Sequence, residues 1–363
     1  MTAQIIAAQR SPVAPRGGAL SQLEIHQLAA PIVTACLSET GISSDEVDEL
    51  IVSNALGAGG NSARLIALAA KLPDCVAGLT IDRQCAGGLD ALLLAKALIE
   101  SGQAKIVIAG GVESYSRAPL RFRTFADGRT PEAYSQPPFT PWPDRDPLMD
   151  EAADALGTAM GISRSEQDQW AIDSHLKAQR SIPNGIVPVA GLGHDSFTRP
   201  LSPKICSRAK VLNGNITAAN AAVAADAAAF CLVVAPEVAD RIGAKGIRFS
   251  GATKGNKPEQ PGLGPVPAIQ QVLSAEKLTV SQLTLVELME AYAVQAIACA
   301  RETNLPLSRV NTHGGALARG HPIGASGTIL AVQMFHQLRE SGGTGLAAIA
   351  AAGGIGTALI MRS

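Results

Sequence analysis

Short apolar runs alternate with longer amphipathic segments through the first part of the chain. The runs that are typical of buried strands cover residues 4–8, 49–52 and 105–109. Apolar residues at helical spacing predict a helix over residues 20–40, ending at Gly41. Strands that alternate with helices indicate an α/β fold with a mainly parallel sheet, covered by helices on both faces.

The alanine-rich stretch at residues 218–235 is apolar enough to resemble a membrane span. Asn220 and Asp226 interrupt it, and alanine favours helices. We therefore expect a buried helix that runs into a strand over residues 230–234, and no membrane association. The amino terminus lacks the basic region and long apolar run of a signal peptide, so none is expected.

The middle of the chain differs from the rest in composition. Residues 117–147 are rich in proline, arginine and aromatic residues, which predicts an extended surface loop long enough to suggest a function. Residues 149–180 have a strongly helical pattern. We therefore expect residues 119–210 to form an inserted subdomain that covers the core.

The second half of the chain repeats the pattern of the first half. Residues 42–50 match residues 278–286 at an offset of 236, since 278 − 42 = 236. An Ala-Gly-Gly sequence at the end of a predicted strand, residues 109–111, recurs at residues 352–354, where the offset has grown to 243. This internal similarity predicts one unit that was duplicated and then diverged.

Composition and charge narrow the functional classes. The formal net charge is −1, so nothing indicates a nucleic acid or an anionic membrane as partner. Hydrophobic residues make up 47% of the chain and charged residues only 17%, which favours a heavily buried α/β protein whose surface is further covered by self-association. The six cysteines form no C-x-x-C pair, which argues against a disulfide framework or a zinc site and fits a reducing cytoplasm.

Cys85 is the first candidate for chemistry. A polar run precedes it, and Ala86-Gly87-Gly88 follow it before a run of strong helix formers. A turn that feeds a helix would set the thiol beside free backbone N–H groups and the positive end of the helix dipole, which lower its pKa and stabilise the thiolate. Small residues next to it let a substrate carbonyl approach the backbone. The alternative is a buried structural cysteine.

His321 is the second candidate. It follows Gly320 in a glycine-rich loop and precedes Gly324-Ala-Ser-Gly327, which opens a predicted helix. An imidazole can activate a cysteine or donate to a developing oxyanion. The alternative is a loop histidine bound to a backbone carbonyl. The repeat favours the catalytic interpretation, because the offset of 236 pairs His321 with Cys85 (321 − 85 = 236).

Several motifs in order make the chain resemble the thiolase family from end to end. They are DRQCAGGLDA around Cys85, the GHP motif at 320–322 with GASG at 324–327, the G-x-GPVP turn at 262–267 and the helix GISRSEQD at 161–168. The resemblance implies a five-layered αβαβα sandwich of two duplicated halves with an inserted loop domain that receives coenzyme A. On that basis residues 1–118 with 211–243 form the amino-terminal half, 119–210 the loop domain and 244–363 the carboxyl-terminal half.

The resemblance also implies a chemistry. Cys85 would attack an acyl-CoA thioester to form an acyl-enzyme, and His321 would activate the thiol. The backbone N–H groups of Cys85 and Ala352 would stabilise the oxyanion. The coenzyme A thioester is then a substrate, with no separate cofactor and no metal, and the protein is expected to be a homodimer or homotetramer. The residues expected to bind substrate are Met289, Tyr292, Ala222 and Gly353.

The chain departs from the family pattern at several positions. Ala350 stands where the family has its second catalytic cysteine, and Met289 replaces the asparagine that usually holds an oxyanion-hole water. Ala222 stands where a serine is common. An alanine cannot serve as a base, and a thioether cannot donate a hydrogen bond, so thiolysis and Claisen condensation are expected to be poor. His313 and Glu290 are the possible auxiliary groups. The alternatives are a loop-packing role for His313 and a structural carboxylate for Glu290.

Three hypotheses remain open from the sequence. The first is an acyltransferase that acts on acyl-CoA or 3-oxoacyl-CoA thioesters. The second is a related enzyme that passes the acyl group to water or to another acceptor, or in which decarboxylation replaces proton abstraction. The third is a thiolase-like subunit that only binds acyl-CoA or supports assembly, which the loss of the second cysteine favours and the retained Cys85 and His321 oppose.

Overall fold

The computed structural model describes residues 2–57, 60–182 and 184–363. Its strands are β1 (Gln4–Arg10), β2 (Ala14–Pro15), β3 (Glu49–Ser53), β4 (Leu79–Ile81), β5 (Ile106–Glu113), β6 (Arg121–Arg123), β7 (Glu132–Tyr134), β8 (Val211–Asn213), β9 (Ile216–Thr217), β10 (Ala225–Val234), β11 (Ile247–Gly255), β12 (Leu285–Leu288), β13 (Thr344–Ala351) and β14 (Ile355–Arg362). Its helices are α1 (Ile25–Thr40), α2 (Ser62–Ala69), α3 (Gly87–Glu100), α4 (Met149–Met160), α5 (Arg164–Arg180), α6 (Pro203–Cys206), α7 (Pro236–Arg241), α8 (Pro265–Ala275), α9 (Ala293–Glu302), α10 (Ala316–Arg319) and α11 (Ile323–Ser341).

The main sheet has two halves that meet at a short antiparallel pairing. The amino-terminal half runs β4-β3-β5-β10-β1, and the carboxyl-terminal half runs β11-β14-β13-β12. β1 and β11 join them through Gln4 opposite Arg248 and Ile5 opposite Ile247. The expectation of a mainly parallel sheet is wrong, because only β3 with β4, β3 with β5 and β12 with β13 pair in parallel within it. A tight turn joins β13 to β14 and the long middle segment precedes β10, and both connections allow antiparallel pairing.

Helices form three layers around the two half-sheets. α1 packs against β1 and β10 on the outer face of the amino-terminal half. α8 and α9 pack against the carboxyl-terminal half in a separate apolar cluster. α3 and α11 contact strands of both halves and therefore lie between them. The result is an alternation of helix, sheet, helix, sheet and helix layers.

The two central helices approach closely because glycines stand where they cross. Thr328 Oγ1 of α11 donates a hydrogen bond to the carbonyl of Gly88 in α3 at 3.1 Å. A Cβ at Gly88 would lie 2.7 Å from the Thr328 backbone nitrogen, and one at Gly327 would lie 2.7 Å from the Leu89 nitrogen. This contact brings the first turns of the two helices together, and with them the residues that precede each helix.

The alanine-rich stretch does not form the predicted helix. Residues 225–234 form β10, which is buried at every position and hydrogen-bonded to β1 on one side and β5 on the other. Tertiary pairing overrides the helix propensity of alanine here, and the small side chains fit between closely packed layers. The predicted strand at 230–234 is its second half. The helix predicted over 20–40 begins later, at Ile25, with Glu24 as the capping residue.

The duplication is visible in matched elements. A short 3₁₀ turn with a capping box precedes β3 at Ser44–Glu46 and precedes β12 at Val280–Gln282. The sheet register corrects one predicted correspondence. Glu49 of β3 pairs with Val107 of β5, and Leu285 of β12 pairs with Gly345 of β13. Because Glu49 and Leu285 correspond, Val107 corresponds to Gly345. The offset for the second strand of each unit is therefore 238 (345 − 107) rather than 243.

The two Gly-Gly pairs therefore have different roles. Gly110 and Gly111 lie inside β5, which continues to Glu113. Both positions require glycine, because a Cβ at Gly110 would collide with the Ala229 carbonyl oxygen and a Cβ at Gly111 with the Gly324 carbonyl oxygen. Gly353 and Gly354 have positive φ angles of 77° and 75° and form the turn between β13 and β14.

The middle segment adds a hairpin and two longer helices to the core. β6 pairs with β7 in the region expected to be a loop. α4 and α5 divide the predicted helical stretch at Gly161 and pack on α9. No helix within the described residues is long and apolar enough to cross a membrane. The domain division given by the resemblance stays a prediction.

Candidate active site

Cys85 lies in a strained turn at the start of a central helix. It is the middle residue of the 3₁₀ turn Gln84–Ala86, and α3 begins two residues later at Gly87. Gln84 has φ = 48°, an unusual value for a residue with a side chain, and its backbone N–H donates to Asp82 Oδ1 at 2.8 Å. A side chain at Gly87 would collide with Ser53. The turn therefore holds the thiol in one place against the end of β3.

His321 reaches Cys85 from the other half of the chain. Its backbone N–H donates to the Val223 carbonyl at 2.8 Å. Its Nε2 lies 3.1 Å from Cys85 Sγ, within hydrogen-bond distance for sulfur. Its Nδ1 lies 2.7 Å from Ser326 Oγ in the first turn of α11. The serine therefore fixes the ring while the other nitrogen faces the thiol.

Burial sets the protonation of this pair. Cys85 and His321 open onto a cavity, and the surrounding protein removes them from bulk water. Desolvation raises the pKa of Cys85 to about 12, with smaller increases from the charges of Glu113 and Asp82. Desolvation lowers the pKa of His321 to about 4. The expectation of a lowered thiol pKa is wrong for this state, because burial outweighs the helix terminus. A neutral thiol faces a neutral imidazole.

The pair lies in the wall of a cavity of about 370 Å³. Most of the lining is apolar. Among the predicted site residues, those that line this cavity are Cys85, His321, Tyr292, Ala222, Ala350 and Ala352. A methyl group, that of Ala350, therefore lines the cavity at the position of the family's second thiol. Cys85 and Ala352, whose N–H groups are the predicted oxyanion donors, both border the cavity.

Glu290 does not line the cavity. It is 1% exposed, and four donors surround its carboxylate. Oε1 accepts from Trp170 Nε1 at 3.1 Å and from Asn311 Nδ2 at 2.7 Å. Oε2 accepts from Ser174 Oγ at 2.7 Å and from the Leu317 N–H at 3.2 Å. A carboxylate with this set of donors joins α5 and α10 to the core, which is a structural role.

Three other predicted residues also lie outside the lining. His313 is half-buried, its carbonyl accepts from Ser181 Oγ at 3.3 Å, and burial lowers the pKa of its imidazole. Met289 is 1% exposed within the apolar core. Gly353 lies in the turn after β13. None of His313, Met289 and Gly353 therefore lines the cavity onto which the thiol opens.

Glu113 is a site residue that the sequence analysis missed. Its buried carboxylate accepts from Asn54 Nδ2 at 2.6 Å, from the N–H groups of Ala55 at 2.9 Å and Leu56 at 3.2 Å, and from the Gly324 N–H at 3.1 Å. It thus ties the loop after β3 to the start of α11, next to His321. Burial raises its pKa to about 7. The sequence did contain one signal for this residue, a single charged side chain at the end of an apolar strand.

Comparison with known families identifies the chain. Residues 3–237 match the family model "Thiolase, N-terminal domain", and residues 244–363 match "Thiolase, C-terminal domain". The chain belongs to the thiolase family. The resemblance drawn from the motifs is confirmed, and the thiolase family places the chain among the acyltransferases.

Known thiolases match along nearly the whole chain. A Bacillus subtilis (strain 168) protein provisionally named acetyl-CoA C-acetyltransferase YhfS is 40% identical over 100% of this chain and 99% of its own length. The solved structure of Bacillus anthracis acetyl-CoA acetyltransferase is similar with a TM-score of 0.94, at 32% identity over 99% of this chain and 98% of that chain. The solved structure of human mitochondrial 3-ketoacyl-CoA thiolase in complex with CoA has a TM-score of 0.93, at 28% identity over 100% of this chain and 98% of that chain. These similarities confirm the predicted fold class.

Proposed function

We propose that this thiolase-family acyltransferase transfers the acyl group of an acyl-CoA or 3-oxoacyl-CoA thioester through an acyl-Cys85 intermediate. The contact of 3.1 Å between Cys85 Sγ and His321 Nε2, at the wall of the cavity, carries the proposal. A nucleophile within reach of a base whose ring is fixed by a third group is the arrangement that covalent catalysis requires.

The neutral pair suggests how acylation proceeds. As Sγ attacks the thioester carbonyl, its proton passes to His321 Nε2, so a free thiolate need not accumulate. We propose that the N–H groups of Cys85 and Ala352 donate to the carbonyl oxygen as it becomes negative. The carbon–sulfur bond of the thioester then breaks, and the imidazolium returns the proton to the departing coenzyme A thiolate.

A basic groove next to the cavity supports coenzyme A as the acyl carrier. Arg199, Lys204 and Arg208 line a groove of about 450 Å³, together with Ala218 and Ala219. The chain continues three residues further to Ala222, which lines the catalytic cavity. We propose that the phosphates of coenzyme A bind at the cations while the thioester reaches Cys85.

Ala350 favours a second candidate for the later half of the reaction. It lines the cavity without a titratable group, so the usual thiol is absent there. Transfer of the acyl group to water or to another acceptor requires no proton abstraction from carbon. We propose it as the alternative to thiolysis and Claisen condensation, which lose about 10²–10⁴-fold when a positioned acid or base is removed.

Intact-protein mass spectrometry tests the proposal. The protein is incubated with acetyl-CoA, acetoacetyl-CoA and a medium-chain 3-oxoacyl-CoA, beside the variant Cys85→Ala. We expect a mass increase of one acyl group that the variant lacks, because only the Cys85 sulfur is paired with His321. Cys75→Ala, which removes an exposed thiol, is the matched control and should still be acylated. If no donor gives an adduct, the acyltransferase proposal is rejected, and a binding or structural subunit is the remaining hypothesis.

We also propose that the protein self-associates and works in the cytoplasm. Leu65 and Leu68 of α2 and Leu79 of β4 are 40–46% exposed, and β4 is the last strand of the main sheet at that end. An apolar face beside an open strand edge fits a second copy of the chain. Free thiols at all six cysteines fit a reducing compartment.

A further inference from the structure

One member of a hydrogen-bonded pair lines the catalytic cavity and has no role in the proposed acylation. Tyr292 lines the cavity together with Cys85 and Ala350. Its hydroxyl donates to Asp150 Oδ1 at 2.6 Å. Ala350 offers no titratable group to the cavity, whereas Tyr292 offers a hydroxyl.

The backbone brings Tyr292 close to the reacting pair. Ala221 forms a β-bridge with Tyr292, and Ala224 forms one with His321. Three residue steps of chain span at most about 11 Å, so one short segment holds both residues beside the same part of the cavity. A charge on Cys85 raises the pKa of Tyr292, which again indicates proximity.

The surroundings of Tyr292 keep its hydroxyl protonated. Burial and the hydrogen bond to Asp150 raise the pKa of Tyr292. Asp150 lies in the first turn of α4, so the helix fixes the position of the oxygen that accepts this hydrogen bond. The Tyr292 hydroxyl already carries a proton, which it donates to Asp150. Its oxygen can therefore accept a second proton only as the first one moves to the Asp150 carboxylate.

We propose that Tyr292 and Asp150 form the proton relay that activates the acyl acceptor, in place of the thiol that Ala350 lacks. This inference rests on the proposed acyl-Cys85 intermediate and deepens it. Tyr292 would contact the acceptor directly, and Asp150 would act through Tyr292.

The step balances without any further reactant. The acceptor, written H–X with X the oxygen of water or the sulfur of coenzyme A, forms a bond from X to the acyl carbon. Its proton moves to Tyr292 Oη as the tyrosine proton moves to the Asp150 carboxylate. The bond between Cys85 Sγ and the acyl carbon then breaks, and the proton on Asp150 returns through Tyr292 to the departing sulfur.

The other polar groups of the region fit this role less well. Tyr115 also lines the cavity, but among residues 2–57, 60–182 and 184–363 its hydroxyl has no hydrogen-bond partner that could take its proton. Glu290 is held by four donors away from the cavity. His321 already serves the thiol, with Ser326 on its other nitrogen.

Separate measurement of the two half-reactions tests the relay. The rate of acyl-Cys85 formation and the rate of its discharge are followed by rapid quench and intact mass, with acetyl-CoA as donor and coenzyme A or water as acceptor. For Tyr292→Phe and Asp150→Asn we expect the ratio of discharge to acylation to fall by about 10²–10⁴-fold, the usual range for a lost acid–base group. Tyr134→Phe removes a hydroxyl from the surface hairpin and should keep the wild-type ratio.

Rescue distinguishes a chemical role from a structural one. The double variant Tyr292→Phe with Ala350→Cys restores a thiol at the family position, and we expect it to recover discharge by at least tenfold over Tyr292→Phe. An unchanged ratio in Tyr292→Phe, or a fall in Tyr115→Phe instead, would overturn the relay while leaving acyl-Cys85 intact. Absence of any adduct in the wild-type protein would reject the proposed function itself.

Discussion

The Cys85–His321 pair combines reactivity with protection. A thiol with a pKa of about 12 carries almost no thiolate at neutral pH, and thiolate is the form that oxidants and alkylating agents attack. In the proposed mechanism, the imidazole 3.1 Å away takes the proton only when an electrophilic carbonyl is present. Burial therefore makes activation depend on substrate.

The pH dependence of acylation follows from this protonation state. The single-turnover rate of Cys85 acylation by acetyl-CoA should be level from about pH 5.5 to pH 9, because His321 is already neutral and the thiol still holds its proton. Below that range the rate should fall as His321 becomes protonated, with an apparent pKa of about 4.

Rapid quench with intact mass, performed at each pH on protein whose fold is checked by circular dichroism, measures this profile. A tenfold rise in rate per pH unit between pH 6 and pH 8 would contradict it, because such a rise means that the thiolate forms before substrate arrives.

At the scale of elements, the crossing of α3 and α11 positions the site. Gly88 and Gly327 allow the two helices to touch through their backbones, and Glu113 holds the Gly324 N–H at the start of α11. Each helix begins next to one member of the reactive pair. Small errors in the crossing would therefore change the distance from sulfur to imidazole.

Gly88→Ala tests the importance of this crossing. Alanine normally stabilises a helix interior by about 1 kcal/mol relative to glycine. Here the added Cβ would lie 2.7 Å from the Thr328 nitrogen, so we expect the free energy of unfolding in urea to fall by about 1–3 kcal/mol. Gly255→Ala, whose Cβ would have no atom within 4 Å, should stay within about 0.5 kcal/mol. Equal or greater stability of Gly88→Ala would show that the helices can separate at no cost.

The sequence predicted this part of the molecule unevenly, for physical reasons. Cys85 and His321 could be paired because the duplication keeps a fixed offset between equivalent helix starts. β10 could not be distinguished from a helix, since an alanine-rich run carries no period and its strand partners are distant in the chain. The same limit applied to Glu113 and to Glu290, because most of their hydrogen-bond partners are distant in the chain.

At the scale of the whole molecule, the exposed face of α2 and β4 predicts the assembly. In a two-fold interface each residue occurs twice, so Leu68→Asp removes two buried leucines. At about 1.5–3 kcal/mol each, we expect the dissociation constant to rise by about 10²–10⁴-fold. Analytical ultracentrifugation of wild-type and variant protein measures it.

Leu307→Asp is the matched control for the assembly. Leu307 is more exposed, at 57%, and lies in the other half of the chain away from α2 and β4, so the wild-type association should persist. A monomeric wild-type protein, or a Leu68→Asp variant that associates unchanged, would exclude this face as the interface.

The separation of the nucleophile from its base along the chain has a consequence during synthesis. A ribosome releases Cys85 long before His321, which follows 236 residues later. The nascent polypeptide therefore carries the sulfur without the imidazole that is proposed to remove its proton. Covalent chemistry can begin only after the carboxyl-terminal unit has emerged and its helix α11 has docked on α3. Under the proposed mechanism, acylation is thus a chemical marker of completed folding.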